Sequence, residues 1–159
     1  MKKYLKKIIF VIIALCWMGV IFYFSSQNGS TSSRMSNRVT QFVIRLFVPN
    51  YSDLSQAEQA SMLKNISFVI RKLAHYSEYA ILGLFLFAAV YVFTNNQKIV
   101  FLIASVLGIL YAFSDEYHQS FVSGRAPMIK DIIIDSIGLL TMLMILGIIW
   151  NLREMKKKR

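Results

Sequence analysis

The sequence predicts an all-α, polytopic membrane protein with four transmembrane helices. Of its 159 residues, 56% are hydrophobic and only 16% are charged, whereas an ordinary soluble domain carries about a quarter charged residues. Four apolar stretches, at about residues 8–24, 73–93, 99–113 and 132–150, have lengths suited to crossing a bilayer. The apolar content excludes a disordered chain, and the single Cys16 excludes a disulfide-stapled secreted domain. We therefore expect one membrane domain over residues 1–159.

The first apolar stretch, residues 8–24, is predicted to be a retained membrane anchor. It follows a basic segment that contains Lys2, Lys3, Lys6 and Lys7. A cleaved signal peptide is the competing interpretation, because its charged start would look similar. The stretch is long, however, and ends in Phe22-Tyr23-Phe24 instead of the small residues that signal peptidase accepts.

The long loop at residues 25–72 is predicted to contain one or two amphipathic helices. An apolar stripe at helical spacing stops before Pro49 and consists of Val39, Phe42, Val43, Leu46 and Phe47. This helix either lies on the membrane, with Arg38, Gln41 and Arg45 towards the headgroups, or packs across the mouth of the bundle. A capping-box pattern at Ser55 and Glu58 predicts a second outer helix, which runs into the second span.

The basic residues predict the orientation in the membrane. They cluster at both ends of the chain, at residues 2–7 and 153–159, and Lys98 lies between the second and third spans. The positive-inside rule then places both termini in the cytoplasm and the loop 25–72 outside the plasma membrane. The net charge of +10 is therefore interpreted as a topology signal and an attraction to anionic membrane lipid, not as a nucleic-acid surface.

Polar residues concentrate at the predicted outer ends of the second, third and fourth spans. Five of the eight acidic residues border this mouth, namely Glu78, Asp115, Glu116, Asp131 and Asp135. Ionisable groups inside a membrane are costly and usually functional. His75, Glu78 and Asp115 are therefore predicted to form a catalytic or binding cluster, and Gln119, Arg125, Asp131 and Asp135 to bind substrate.

Structural roles compete with these functional ones at several positions. His75 and Glu78 would also suit a buried interhelical hydrogen-bonded pair, and Asp131 would suit a helix cap. Gly138 allows either close helix packing or space for a ligand. We expect Glu116 to be a solvated helix end and His118 to contact headgroups or water.

Several of these residues belong to motifs that resemble the signature of the VanZ-like membrane proteins, a family named for an accessory factor of teicoplanin resistance. The matching segments are Phe24-Ser25-Ser26-Gln27-x-Gly29, Arg71-Lys72-Leu73-Ala74-His75-Tyr76-Ser77-Glu78-Tyr79, Asp115-Glu116-x-His118-Gln119-x-Phe121-Val122-x-Gly124-Arg125 and Asp131-x-x-x-Asp135-Ser136-x-Gly138. The resemblance implies a four-helix protein of the bacterial cell envelope, with glycopeptide resistance as the expected phenotype. It implies no defined biochemical activity.

Three functions fit an acidic mouth at the outer leaflet. A binding protein would capture a wall component, a lipid-linked component or a glycopeptide. An enzyme would act on a lipid headgroup or a lipid-linked precursor, with Glu78 or Asp115 as general base and Arg125 on phosphate. The enzyme hypothesis lacks an obvious nucleophile. A divalent metal bound by His75, Glu78, Asp115 and Asp135 would supply one by activating water. A transporter ranks last, because the inner halves of the spans offer no polar relay.

Overall fold

The computed structural model describes residues 2–157 and confirms the all-α prediction. It consists of five helices, with no strand among those residues: α1 Lys2–Ser25, α2 Gly29–Phe47, α3 Gln56–Tyr91, α4 Gln97–Gln119 and α5 Ile129–Lys157. A short 3-10 turn, Tyr51–Asp53, joins α2 to α3. Lys158 and Arg159, part of the predicted carboxy-terminal basic cluster, lie outside the described residues.

Four of the helices, α1, α3, α4 and α5, are long and apolar enough to cross a membrane. They form an up-and-down bundle, in which α3 and α5 run one way and α1 and α4 the other. At one end of the bundle Lys7 lies 4.7 Å from the centre of the Phe93 ring, so the start of α1 meets the end of α3. At the other end Lys72 of α3 pairs with Asp131 in the first turn of α5.

Local sequence signals explain where the helices begin. The Asn28 side chain accepts a hydrogen bond from the Thr31 amide at 2.8 Å and caps α2, which starts ten residues before the predicted apolar stripe. Ser55 and Glu58 form the predicted capping box at the start of α3. Because no helix breaker follows, α3 continues for 36 residues, about 54 Å, and includes the second span.

The core lies along α3 and α5, which pack together more extensively than any other pair. Leu82, Leu139 and Leu143 are fully buried there. Gly138 allows the close approach of the two helices, since a Cβ at this position would lie 2.2 Å from the backbone oxygen of Tyr76. Of the two roles considered for Gly138, the structure supports close helix packing.

Helix α2 packs across the end of the bundle, but not through its apolar stripe. The face towards α3 contains the buried residues Thr40 and Ile44. Ser33 also lies on this face and accepts a hydrogen bond from Arg71 of α3. The stripe residues Phe42 and Phe47 remain 62% and 76% exposed. Packing across the bundle through the apolar stripe is therefore not what the structure shows, because the buried face carries Thr40 and Ile44. Contact of the exposed stripe with the membrane stays a prediction.

Candidate functional site

A cavity of about 200 Å³ opens at the end of the bundle where α1 and α4 finish. Helices α1, α2, α3 and α4 and the loop after α4 all contribute to its wall. The polar side chains that line it are Ser25, Ser32, Ser36, Arg71, His75, Glu78, Asp115 and Arg125. Four of the seven predicted site residues therefore meet at one cavity: His75, Glu78, Asp115 and Arg125.

Helix α3 supplies one charged face of this cavity. Arg71, His75 and Glu78 stand at positions i, i+4 and i+7, so they lie on the same side of the helix over two turns. The Trp17 side chain of α1 donates a hydrogen bond of 2.9 Å to the backbone oxygen of Glu78, which fixes α1 against this segment.

Asp115 brings a carboxylate from α4 to the opposite wall. The residue is only 3% exposed, and its Oδ2 accepts a hydrogen bond from Gln119 at 3.2 Å. Its Oδ1 is buried without a partner in the described chain, as is the hydroxyl of Ser25. Buried polar atoms are normally satisfied, so these two unpaired atoms indicate a place prepared for a ligand or for water.

Arg125 returns from the loop after α4 and joins this network through Gln119. Its Nη1 donates to Gln119 Oε1 at 3.0 Å, and its Nε and Nη2 donate to backbone oxygens of Gln27 and Phe24. Gln119 thus connects the guanidinium to Asp115 and does not itself line the cavity. Burial and the neighbouring Arg71 lower the pKa of Arg125, while Asp115 opposes the shift. A guanidinium nevertheless stays charged at neutral pH.

The loop that carries Arg125 is held in place by glycine contacts. Gly124 has φ of +74°, a conformation that suits glycine. The Gly29 amide donates to the Ser123 oxygen at 3.1 Å, and a Cβ on Gly29 would lie 2.0 Å from the Gly124 oxygen. The loop therefore rests directly on the start of α2, and this contact positions Arg125.

Asp135 lies behind the cavity and faces His75. It is 1% exposed, and its Oδ1 is 3.5 Å from His75 Nδ1. This separation is longer than a normal N–H···O hydrogen bond, but it places a carboxylate next to one ring nitrogen. Asp135 therefore lies beside the imidazole and does not line the cavity itself.

Asp131 is also absent from the cavity wall, because it forms an ion pair with Lys72. Both side chains are largely buried, and the pair joins α3 to the first turn of α5. Sequence reasoning did not identify Lys72 as a partner, since charge pairing between distant helices has no local signal.

One expectation about the end of α4 needs correction. Glu116 was expected to be a solvated helix end, and this is wrong, because it is 5% exposed and accepts a hydrogen bond from the Met128 amide. It anchors the segment that leads into α5. His118 is half-buried, lies 3.1 Å from the Ser26 hydroxyl and has its ring centroid 4.4 Å from that of Phe22, and its contact with headgroups or water stays a prediction.

The described side chains do not assemble an evident metal centre. Within residues 2–157, no group of three or more His, Cys, Asp or Glu is placed to hold a metal ion. The set suggested from the sequence, His75, Glu78, Asp115 and Asp135, therefore does not form such a group.

Sequence reasoning missed Arg71 and Ser25 as cavity residues. For Arg71 a signal was present, because its spacing from His75 and Glu78 places all three on one helical face. Ser25 belongs to the first of the quoted motifs, but only the packing of α1 against α4 brings its hydroxyl near Asp115.

Comparison with known proteins gives one positive result. A family model described as VanZ/LLP1 matches residues 10–150 of the chain. No curated protein and no solved structure matches it. The matched range contains α2, α3, α4, most of α1 and α5, and every residue of the cavity. The chain therefore belongs to the VanZ/LLP1 family as a VanZ-like, multi-pass membrane protein.

Proposed function

We propose that this protein binds the polar headgroup of an amphiphile at the outer leaflet, namely a lipid-linked component of the cell envelope. The observation that carries the proposal is the combination of a small polar cavity with buried, unpaired polar atoms on Ser25 and Asp115. Each unpaired atom costs free energy in the absence of a partner. A ligand that supplies the missing hydrogen bonds would recover that cost.

The rim of the cavity supports an amphiphilic ligand. Phe24, Met35 and Val39 contribute to the wall and are 41%, 43% and 50% exposed. In a membrane protein such exposed apolar side chains belong next to lipid chains. A headgroup in the cavity would therefore leave its hydrocarbon chains beside this rim and within the bilayer.

The volume of the cavity limits the ligand. At about 200 Å³ it is smaller than the 300–1,000 Å³ that is typical of drug-sized sites. It suits a headgroup and cannot enclose a glycopeptide antibiotic. The teicoplanin resistance that the family resemblance implies would then arise through the bound envelope component and not through sequestration of the drug.

An enzymatic function is the second candidate, and the His75–Asp135 arrangement favours it. A carboxylate beside Nδ1 orients an imidazole so that Nε2 can act as a general base. The enzyme would act on the headgroup or on a lipid-linked precursor in the same cavity. His75→Gln should abolish almost all activity of such an enzyme, whereas a binder should weaken in steps when single polar groups of the cavity are removed.

The first test measures teicoplanin susceptibility of a sensitive Gram-positive host that expresses the wild type, Glu78→Gln or Asp115→Asn, at verified equal membrane abundance. We expect the wild type to protect and both variants to protect less, because each substitution keeps the shape of the side chain and removes a charge from the cavity wall.

The matched control is Glu154→Gln, which removes one carboxylate at the opposite end of the bundle. It should protect like the wild type. Equal protection by all four proteins would contradict a binding role for the cavity. An unprotected wild type would show that this member does not confer teicoplanin resistance.

The orientation of the bundle is a separate proposal, in which the cavity faces outwards and both termini face the cytoplasm. It follows from the basic residues at the other end, which include Lys98, Arg153 and Lys156. In a Cys16→Ala background, a membrane-impermeant thiol reagent should label Ser120→Cys at the cavity end and not Asn95→Cys at the basic end. The reverse pattern would invert the topology.

A further inference from the structure

A second cavity lies between α2 and the outer part of α3. Its volume is about 750 Å³, larger than that of the bundle cavity. The polar side chains in its wall are Ser33, Asn37, Lys64, Asn65, Ser67 and Arg71. We name this cavity the α2–α3 groove. It lies beyond the start of α5, because Lys72 is the residue of α3 that meets the first turn of α5.

The charge of the α2–α3 groove is of one sign. Lys64 and Arg71 are the ionisable side chains among its lining residues, and both are cationic. The surrounding segment, residues 29–72, contains six basic and two acidic residues. The bundle cavity differs, since Glu78 and Asp115 line it. The two neighbouring cavities therefore differ in charge: the groove is cationic, whereas the bundle cavity contains both arginines and carboxylates.

The donors of the groove are largely free to bind a ligand. Within the described residues, the Lys64 ammonium forms no ion pair and donates no hydrogen bond. The side-chain amides of Asn37 and Asn65 form no hydrogen bond either. Arg71 donates one hydrogen bond, from Nη2 to the Ser33 hydroxyl at 3.1 Å. Its Nε is buried without a partner. Guanidinium, ammonium and amide groups that converge without a carboxylate are typical of phosphate recognition.

The groove also has an exposed apolar wall. Phe68 and Val69 contribute to this wall and are more than half exposed. A phosphate group in the groove could therefore carry hydrocarbon chains that lie against these two residues and continue into the bilayer.

We infer that the α2–α3 groove is a binding site for the phosphate of an anionic amphiphile, formed by Lys64, Arg71 and the neighbouring amides. This site is distinct from the bundle cavity of the proposed function, although Arg71 borders both. It assigns to α2 a role besides covering the bundle, because Ser33 and Asn37 on its inner face complete the groove.

The test is a calorimetric titration of the full-length chain, purified in neutral detergent, with short-chain phosphatidylglycerol. Lys64→Gln should weaken binding by about tenfold, the factor that corresponds to one lost hydrogen bond to a charged group. The matched control is Arg38→Gln, which removes one charge from an exposed position of α2 that does not line the groove. Its effect should stay below about threefold.

Two ligand controls identify the source of the phosphate. Inorganic phosphate that competes with the lipid would show that the anion alone occupies the site, whereas a lack of competition would show that the lipid chains are required. Both results keep a phosphate site in the groove. Phosphatidylcholine of the same chain length should bind more weakly, because its ammonium is repelled by Lys64 and Arg71.

Three outcomes would overturn the inference: equal weakening by Lys64→Gln and Arg38→Gln, no weakening by Lys64→Gln, or equal binding of the two lipids. Neither Glu78 nor Asp115 is changed in this titration. Failure of the groove and failure of the bundle cavity are therefore distinguishable.

Discussion

Different interactions stabilise the two ends of the α3–α5 interface: apolar packing at one end and contacts between charged or polar side chains at the other. In the apolar half, Leu82, Leu139 and Leu143 are fully buried and interlock by shape. At the cavity end, the same two helices meet through Lys72 with Asp131 and through His75 with Asp135. Lipid chains are as apolar as leucine, so helices in a membrane gain little from burial and depend on packing and polar contacts. Close packing of apolar side chains therefore stabilises one end of the interface, and contacts between charged or polar side chains stabilise the other.

The distribution of unpaired polar atoms follows the same division. In the part of the chain that the structure describes, the buried side-chain atoms without a partner belong to Ser25, Arg71, His75, Tyr79, Ser105, Asp115, Glu116 and Asp135. Ser105 lies in the apolar half of α4, and the rest lie at or near the cavity end. A fold selected for stability alone would not leave so many atoms unsatisfied at one end.

The largest expected effect on stability comes from breaking the ion pair at the cavity end. Lys72→Met leaves the Asp131 carboxylate, whose side chain is 12% exposed, without its partner. A buried charge without compensation costs about 3 kcal/mol. The free energy of unfolding in detergent micelles, measured by denaturant titration, should fall by about this amount.

The double variant Lys72→Met/Asp131→Asn is the control for this prediction. It removes the uncompensated charge as well, so most of the lost stability should return. A single variant as stable as the wild type would show that the ion pair does not hold α3 to α5.

A smaller loss is expected at the boundary between the two ends. Gly138→Ala introduces a Cβ that would lie 2.2 Å from the Tyr76 oxygen, so α3 and α5 must move apart. Overpacking of this kind costs about 2 kcal/mol. Thermal unfolding in detergent should show a lower Tm, and both the apolar contacts and the cavity should be disturbed.

Gly19→Ala in α1 provides the matched control, because nothing lies within 4 Å of a Cβ there. It should leave Tm unchanged or raise it, since alanine favours a helix over glycine by up to about 1 kcal/mol. If the two substitutions behaved alike, close packing at Gly138 would not be a constraint.

The smallest effect on stability is expected for substitutions in the exposed apolar stripe of α2. These substitutions compare a surface that faces the protein with one expected to face lipid. In a Cys16→Ala background, Phe42→Cys and Gln41→Cys should each change the free energy of unfolding by less than about 0.5 kcal/mol, because both residues are exposed. Spin labels at the two positions should nevertheless report different surroundings.

Oxygen, which concentrates in lipid, should reach the label at position 42 more readily than the label at position 41. A water-soluble nickel complex should show the opposite preference. Equal accessibility to the nickel complex at both positions would place the stripe in water and contradict an interfacial helix.

Much of the helical framework could be predicted because its signals are local. Apolar runs identify the candidate spans. A serine followed three residues later by a glutamate identifies the start of a helix, as at Ser55 and Glu58. The convergence of His75, Glu78, Asp115 and Arg125 was also foreseen, because the up-and-down order of four spans places their outer ends together.

The sequence by itself determined that this is a four-helix membrane chain with a polar end and a basic end. Only the tertiary structure decided that Ser25 lines the cavity, that Asp131 pairs with Lys72, and that Asp135 lies beside His75. It also decided that α2 packs through the face that contains Thr40 and Ile44. The physical reason is that hydropathy and capping act within a few residues, whereas pairing between charges depends on helix rotation. Rotation is set by close contacts such as that of Gly138 with Tyr76, which lie far apart in sequence.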